Sequence, residues 1–368
     1  MILTPNGLRI LDALGVFERI KDKCWKAEYR TTKNDRDETT KKTRIANEDL
    51  YGYKNHRIWR RLLLQELKLM LRERKIEIAY NSHYEGIVDE SEDRIGFRIN
   101  GKEEHAQMLV GADGIFSSVR KYIDPDVRPG YTGILGCIAH IHRDTVKWPM
   151  PDYEPACTIQ GKSGALVTMP EDPEAHEIMV AVQRQWPDQT RAQWEALAAD
   201  KDMLCEFFRK GYDDWHDTGK QIIDQVCAAK ENIYAWPYMR MPKLKTWYSR
   251  TGRVVILGDA AHAVPPSSGQ GVNQALEDVH SLLLFLNKTT DRLVALRLWQ
   301  KMRETRIDMV YDRFTTATNV ERMSEAEREQ LIQEGKAKDL NSNPDRDDMR
   351  WLYQLNLEQD VASVVKLG

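Results

Sequence analysis

Much of what this chain could be is excluded by what it lacks. Its 368 residues hold five cysteines, Cys24, Cys137, Cys157, Cys205 and Cys227, none in a Cys-x-x-Cys pair. An odd number at wide spacing excludes a disulfide framework and a cysteine zinc site, and it suits a reducing compartment such as the cytoplasm. No apolar run reaches the ~18 residues that a membrane-spanning helix needs. Neither sign of charge dominates: 54 Lys and Arg against 57 Asp and Glu leave a net −3, which offers no electrostatic footprint for nucleic acid or an anionic membrane. Met1–Ile20 is amphipathic and ends in charge, unlike a secretory leader. Nowhere does a Gly-x-Gly-x-x-Gly follow a strand signal, so the usual turn for a dinucleotide pyrophosphate is missing. No Ser/His/Asp or Cys/His constellation and no metal-ligand spacing stands out.

What the chain does have is concentrated in Arg253–Asp278. Val254–Leu257 is an apolar run of the kind buried on both faces of a parallel sheet. Gly258-Asp259 ends it, Pro265-Pro266 follow, and Gly269-Gln270-Gly271 lead into an amphipathic helix expected over about Val272–Leu286. A bare helix start collects anions, because its free N–H groups and its macrodipole point the same way. Glycine there lets a ligand approach the backbone closely. Asp259 falls at the carboxyl end of a strand, where open α/β sheets bind ligands, and a carboxylate accepts hydrogen bonds from hydroxyls.

Around this stretch the pattern alternates between classes. Thr4-Pro5 opens a helix as N-cap and first helical residue, and Gly15 breaks it. Lys33–Asn55 is polar and reads as exposed loop or insertion. Leu63, Leu64, Leu67 and Leu71 place a helix over Arg57–Arg74, and Ile76, Ile78 and Tyr80 alternate as a strand. Tyr84–Val88 and Arg94–Ile99 read as a small meander, and Gln107–Gly114 as a buried strand ending in Asp113-Gly114. Strand signals at Ile134–Ile141, Ala156–Gln160, Ala165–Met169 and Ile178–Gln183 form an antiparallel sheet, followed by helices over Thr190–Ala199, Asp202–Phe208 and Gly219–Ala229 and a strand over Asn232–Tyr238. Tyr238, Trp236 and Met239 either fill core or face a ligand. Asp291–Met323 is one long scaffold helix whose charged face carries Arg303, Arg306 and Arg313. Ser324 with Glu327 makes a capping box, Asn341–Asp348 reads as polar loop, and Met349–Val361 docks on the core.

The run Gly258-Asp259-Ala260-Ala261-His262, with Pro265-Pro266 and Gly269-Gln270-Gly271-Val272-Asn273, resembles the second flavin motif of the FAD-dependent aromatic hydroxylases. These are the salicylate- and p-hydroxybenzoate-hydroxylase-like flavin monooxygenases. Arg60-x-x-Leu63-x-x-x-Leu67 and Gly111-Ala-Asp113-Gly114-x-x-Ser117-x-x-Arg120 occur in that family's order. The resemblance implies an α/β fold: a Rossmann-like FAD-binding domain, N-terminally truncated because it lacks the Gly-x-Gly-x-x-Gly βαβ unit, with an inserted antiparallel-sheet substrate domain and C-terminal helices. The expected parts are 1–130 and 241–290 for the FAD-binding domain, 131–240 for the substrate sheet and 291–368 for the helical region.

By the same resemblance, Asp259 binds the ribityl chain, Pro265 lies beside the ring, and Gly269, Gly271 and Val272 face its pyrimidine end. Arg60, or its neighbour Arg61, reaches the phosphates or ribityl chain. Asp113 supports the flavin and access by the nicotinamide, with Arg120 pairing either with it or with a phosphate. The implied reaction is hydroxylation or epoxidation of an aromatic or polyketide-like small molecule in secondary metabolism, with FAD as cofactor, NAD(P)H as reductant and O2 as oxygen source. His262 reads as structural, and no general base is evident. The alternative is a truncated or degenerate family member that binds flavin weakly or not at all and catalyses nothing.

Overall fold

The computed structural model describes residues 1–334 and 348–367. The polar segment expected as a loop at 341–347 lies outside them. The chain opens with β1 (Ile2–Leu3) and α1 (Pro5–Ala13), followed by α2 (Phe17–Ile20) and β2 (Trp25–Ala27). A hairpin, β3 (Tyr29–Asn34) and β4 (Thr39–Arg44), leads through α3 (Glu48–Tyr51) and β5 (Asn55–Arg57) to α4 (Arg60–Glu73). A meander of β6 (Tyr84–Glu90), β7 (Ile95–Ile99) and β8 (Lys102–Ala106) precedes β9 (Leu109–Gly111) and α5 (Arg120–Ile123).

The large sheet then takes β10 (Gly130–His142), β11 (Cys157–Gly161), β12 (Gly164–Pro170) and β13 (Glu177–Gln185), with β14 (Tyr234–Arg240) arriving after α6 (Arg191–Ala199), α7 (Lys201–Arg209) and α8 (Asp217–Ala228). β15 (Val254–Ile256) feeds α9 (Gly271–Lys288), and α10 (Arg292–Glu321), α11 (Glu325–Gln333), α12 (Arg350–Tyr353) and α13 (Leu357–Leu367) close the described chain. The five thiols are all free and buried.

Three differences from the sequence reading have physical causes. The segment read as exposed loop contains β3 and β4, which extend the large sheet to seven strands in the order β14-β10-β13-β12-β11-β3-β4. β3 pairs parallel to β11, so a partner more than a hundred residues away holds a polar strand that local composition marks as loop. Ile76, Ile78 and Tyr80 alternate but form no strand, and they stand 52%, 38% and 58% exposed. Their alternation had no neighbouring strand to pair with. Arg57 ends β5 rather than opening the helix, whose first residue is Arg60.

The organising strand is as expected. Val254, Val255 and Ile256 are fully buried, and β15 pairs parallel to β9 with Val255 opposite Val110. β9 itself is only half covered: it is paired on one side alone, and Val110 is 44% exposed.

The large sheet has two distinct faces. Leu135, Cys137, Ala139 and Ile141 of β10 and Ile178, Val180 and Val182 of β13 point into one core with Leu204, Phe207, Phe208, Ile222, Ile223 and Val226 of α7 and α8. Period-2 alternation puts Ile138 and His140 on the opposite face. There Ala156, Val167 and Met169 pack with Ile2, Met179 and Ala181. β1 is therefore wedged between the sheet and the rest of the protein.

Helices α1 and α9 approach closely because Gly7 faces Asn273. A Cβ built on Gly7 would lie 2.2 Å from Asn273 Oδ1 and 3.2 Å from its Cβ. Asn273 cannot move aside, since its Oδ1 accepts from the Thr4 amide at 3.1 Å and its side chain is fully buried. Gly7→Ala is therefore expected to destabilise the fold by about 1–3 kcal/mol, the usual range for overpacking, read as a lower urea midpoint.

Candidate functional site

The site grows from a buried polar stripe on α9. Gln270, Asn273, Gln274, Glu277, Asp278 and Ser281 recur at helical spacing and are buried. Each has partners. Glu277 accepts from Asn6 Nδ2 at 2.6 Å and faces Arg306, while Arg303 Nη1 lies 2.5 Å from Glu277 Oε2. Asp278 Oδ1 accepts from Arg303 Nε at 2.7 Å. Its Oδ2 accepts the Gly258 amide at 2.8 Å and meets His262 Nε2 at 2.6 Å. One carboxylate thus clamps both ends of the Gly258–His262 turn and ties it to α10.

Two arginines of the charged face of the scaffold helix α10 point inward: Arg303 is fully buried and Arg306 partly so, both turned onto the α9 acids. His262 is structural, packed against Trp247 with ring centroids 5.1 Å apart.

The turn presents Asp259. Its neighbours Gly258 and Ala260 are buried, but Asp259 itself is exposed, and its carboxylate makes no hydrogen bond with the described residues. The surrounding protein still strips enough water from it to raise its pKa, an effect opposed by His262 and Arg60 and reinforced by Asp278.

A few residues on, Pro265 is buried, Gly269 sits at φ +64° where only glycine is comfortable, and α9 begins at Gly271. Gln270 caps nothing with its side chain, and a Cβ on Gly271 would find its nearest neighbour, Val264 Cγ2, at 3.8 Å. The helix start is thus open and its first amides lack intrahelical partners. Val272 turns its side chain into the cluster of Leu3, Leu8 and Leu63, which leaves its amide as the part able to meet a ligand.

Arg60 is exposed at the start of α4 and takes no hydrogen bond among the described residues, yet its charge is felt by both Asp259 and Tyr234. The charge of Arg60 thus reaches both the Asp259 turn and the sheet residue Tyr234.

Asp113 stands apart. Its Oδ2 accepts the amides of Ser118 at 2.7 Å and Val119 at 3.2 Å, so it caps the turn leading into α5. Arg120 pairs neither with it nor with an open groove. Its guanidinium donates to Ala260 O at 2.9 Å and Ile115 O at 2.7 Å, binding the second motif to the Asp259 turn.

A second cluster forms without a local sequence signal. Arg57 and Glu171 form a buried ion pair. His140 Nε2 is 3.5 Å from Glu171 Oε1. The His140 ring lies 4.9 Å from the Trp59 ring and 6.3 Å from that of Tyr234. They come from four separate stretches, and only the sheet register brings them together.

A carboxylate and a guanidinium without hydrogen-bond partners among the described residues, and an uncapped helix start with glycine, lie near the end of a parallel strand; such groups can accept from hydroxyls and attract anions. The chain belongs to the FAD binding domain family, whose profile matches residues 1–293. It is 29% identical over 234 residues to hispidin-3-hydroxylase of Neonothopanus nambi, an alignment covering 57% of this chain and 53% of that protein. It is 27% identical over 237 residues to 6-hydroxynicotinate 3-monooxygenase of Bordetella bronchiseptica, covering 61% of this chain and 56% of the relative. The matches to these two relatives span little more than half their length. A third relative, 3-amino-4-hydroxybenzoate 2-monooxygenase PtnB3 of Streptomyces platensis, is 25% identical over 366 residues, covering 95% of this chain and 85% of its own.

Among solved structures, CtdE in complex with FAD and a substrate superposes with a TM-score of 0.77 at 16% identity, covering all of this chain and 89% of that one. Klebsiella pneumoniae HpxO with FAD and uric acid superposes at 0.74 and 16% identity, over all of this chain and 86% of the other. Among the described residues, no helix is long and apolar enough to cross a membrane.

Proposed function

We propose that the chain is an FAD-dependent monooxygenase that hydroxylates an aromatic or polyketide-like small molecule with NAD(P)H and O2. The observation that carries this reading is the unpartnered Asp259 carboxylate beside the uncapped start of α9. An exposed carboxylate with no partner among the described residues is free to accept hydrogen bonds from a ligand's hydroxyls. The monooxygenase names of the three relatives support the same class.

In this reading Asp259 accepts the hydroxyls of the ribityl chain. Gly269, Gly271 and the Val272 amide give the ring's pyrimidine end donors and a favourable dipole, with Pro265 alongside. Arg60 offers the cation for a phosphate, and Asp113 keeps the neighbouring turn in shape. The sheet within 131–240, enlarged by the hairpin of β3 and β4, faces the ring and holds the substrate away from water. Bound FAD, reduced by NAD(P)H, supplies the activation of O2 and the transfer of one oxygen atom.

The test is direct. The full chain, purified with FAD present, is expected to carry one FAD per chain by absorbance and to oxidise NAD(P)H faster when a phenolic substrate is added, with a hydroxylated product. A colourless chain, or NAD(P)H oxidation indifferent to every aromatic tried, sinks the reading. One observation favours a weakly flavin-binding, non-catalytic member instead: the parallel pair β9 and β15 is flanked by exposed apolar side chains, Val110 at 44% and Phe116 at 70%. A dissociation constant for FAD far above the micromolar range would select that second reading.

A further inference from the structure

We propose that His140, oriented by Glu171, takes the proton of a phenolic hydroxyl on the substrate. The proposal rests on the monooxygenase reading and names the base that reading leaves open.

Four observations place the reacting groups. His140 projects from the face of β10 opposite the helix-packed core, and it pairs with Met179, which in turn pairs with Met169. That face is the one on which Ile2 packs, and a Cβ on Gly269 would meet Ile2 Cγ2 at 2.7 Å. The sheet face and the α9 approach are therefore separated by one thin strand. Tyr234, beside the His140 ring, feels the charges of Glu171, Arg57 and Arg60, and Arg60 acts on Asp259 as well. Finally, the rings of Trp59 and Tyr234 pack against the His140 ring, which puts aromatic surface beside it.

The polar groups are arranged for proton transfer. Glu171 is buried, and burial pushes its pKa up. His140, Arg57 and the Met1 amine outweigh that, so it is held below its usual value and stays a carboxylate. Its Oε2 makes no hydrogen bond and lies 4.0 Å from the Met1 amine, so its charge is offset by the amine, Arg57 and His140 together.

Glu171 Oε1 faces His140 Nε2, which favours the tautomer with the proton on Nε2 and leaves the Nδ1 lone pair free. The described residues give Nδ1 no hydrogen bond, and it is not among the sealed orphan atoms. The step is balanced: the substrate O–H bond breaks, its proton bonds to His140 Nδ1, and the electron pair stays on oxygen. The imidazolium so formed pairs with the Glu171 carboxylate, and the phenolate raises electron density at its ortho and para carbons, the positions that accept an electrophilic oxygen. Glu171 is a positioning residue, acting through His140. The charged and titratable groups around His140 are Glu171, Arg57, Arg60, Tyr234 and the Met1 amine.

The experiment uses the full chain with FAD and three probes, phenol, 4-hydroxybenzaldehyde and 4-nitrophenol, whose hydroxyls grow more acidic in that order. The parental chain should lower the apparent pKa of a bound phenol, seen as the phenolate band in difference spectra. His140→Gln should keep FAD, lose that lowering and fall in kcat/KM by roughly 10²–10⁴-fold, with the deficit shrinking along the series. Glu171→Gln should fall less and shift the acid limb of the pH profile.

Parental rates and an unchanged acid limb in His140→Gln overturn the proposal. So does a chain that holds FAD but ionises and turns over none of the probes. A parental chain that takes up no FAD fails at the earlier reading, and the proposal falls with it. If His140→Gln does not fold, the parental spectra decide alone, and an unshifted ionisation overturns the proposal.

Discussion

Arg303→Met is expected to cost about 3–5 kcal/mol of unfolding free energy, the range for breaking one partner out of a buried ion pair. The side chain is completely buried, and its guanidinium holds three groups on α9: Glu277 Oε2 at 2.5 Å, Asp278 Oδ1 at 2.7 Å and Gln274 Oε1 at 2.7 Å. Methionine fills similar volume but leaves two sealed carboxylates with fewer donors. Arg306 still serves Glu277 and His262 still serves Asp278, so the loss stops short of abolishing the network. Arg303→Lys should fall between the two, because an ammonium cannot serve three divergent acceptors as a planar fork does.

The acid limb of stability gives a second measurement. Burial pushes the pKa values of Glu277 and Asp278 up. Arg306 and Arg303 for the first, and His262 and Arg303 for the second, more than reverse this, so both are depressed below the ordinary 4.5 and 3.8. A depressed carboxylate adds stability that is fully present above its unfolded value and is lost as the pH falls through its folded value. The parental chain should therefore lose this contribution only as the pH falls below the ordinary carboxylate values towards the depressed ones, whereas Arg303→Met should lose it at higher pH. Urea midpoints of the two proteins between pH 3 and 7 that run parallel would sink the argument.

Asp259→Ala is the converse case. No described group depends on this carboxylate, and its surroundings disfavour its charge. Stability should stay within about 0.5 kcal/mol of the parent, as for a surface change. FAD binding should weaken about 10- to 150-fold, the equivalent of the roughly 1.5–3 kcal/mol of a hydrogen bond to a charged group. Flavin fluorescence quenched on binding reads the affinity, and urea unfolding the stability. An unchanged dissociation constant would remove Asp259 from the cofactor site. A large loss of stability would assign it to the scaffold.

Legibility followed the reach of the interactions. The stretch from Val254 to Lys288 was readable as strand, turn and helix because its signals are local: a β-branched run, glycines at the turns and helical periodicity. The acid pair Glu277-Asp278 takes its role only from α10 arriving with Arg303. The hairpin of β3 and β4 was read as loop because its partner strand is distant in sequence. Ile76, Ile78 and Tyr80 showed strand alternation without gaining one. Asp113 was read with two roles open, and its contacts are those of a cap.

The sequence by itself determined the family and the α/β class, through the run of motif residues around Asp259, and also the buried strand at Val254 and the order of strand, glycine turn and helix, since these last follow from side-chain periodicity and backbone freedom within a few residues. Only the tertiary structure decided that Asp278 clamps the turn bearing Asp259, that Arg303 and Arg306 of α10 face inward, and that Arg57, Trp59, His140, Glu171 and Tyr234 meet in one cluster. Those meetings depend on sheet register and helix packing, which bring together side chains that share no neighbourhood along the chain.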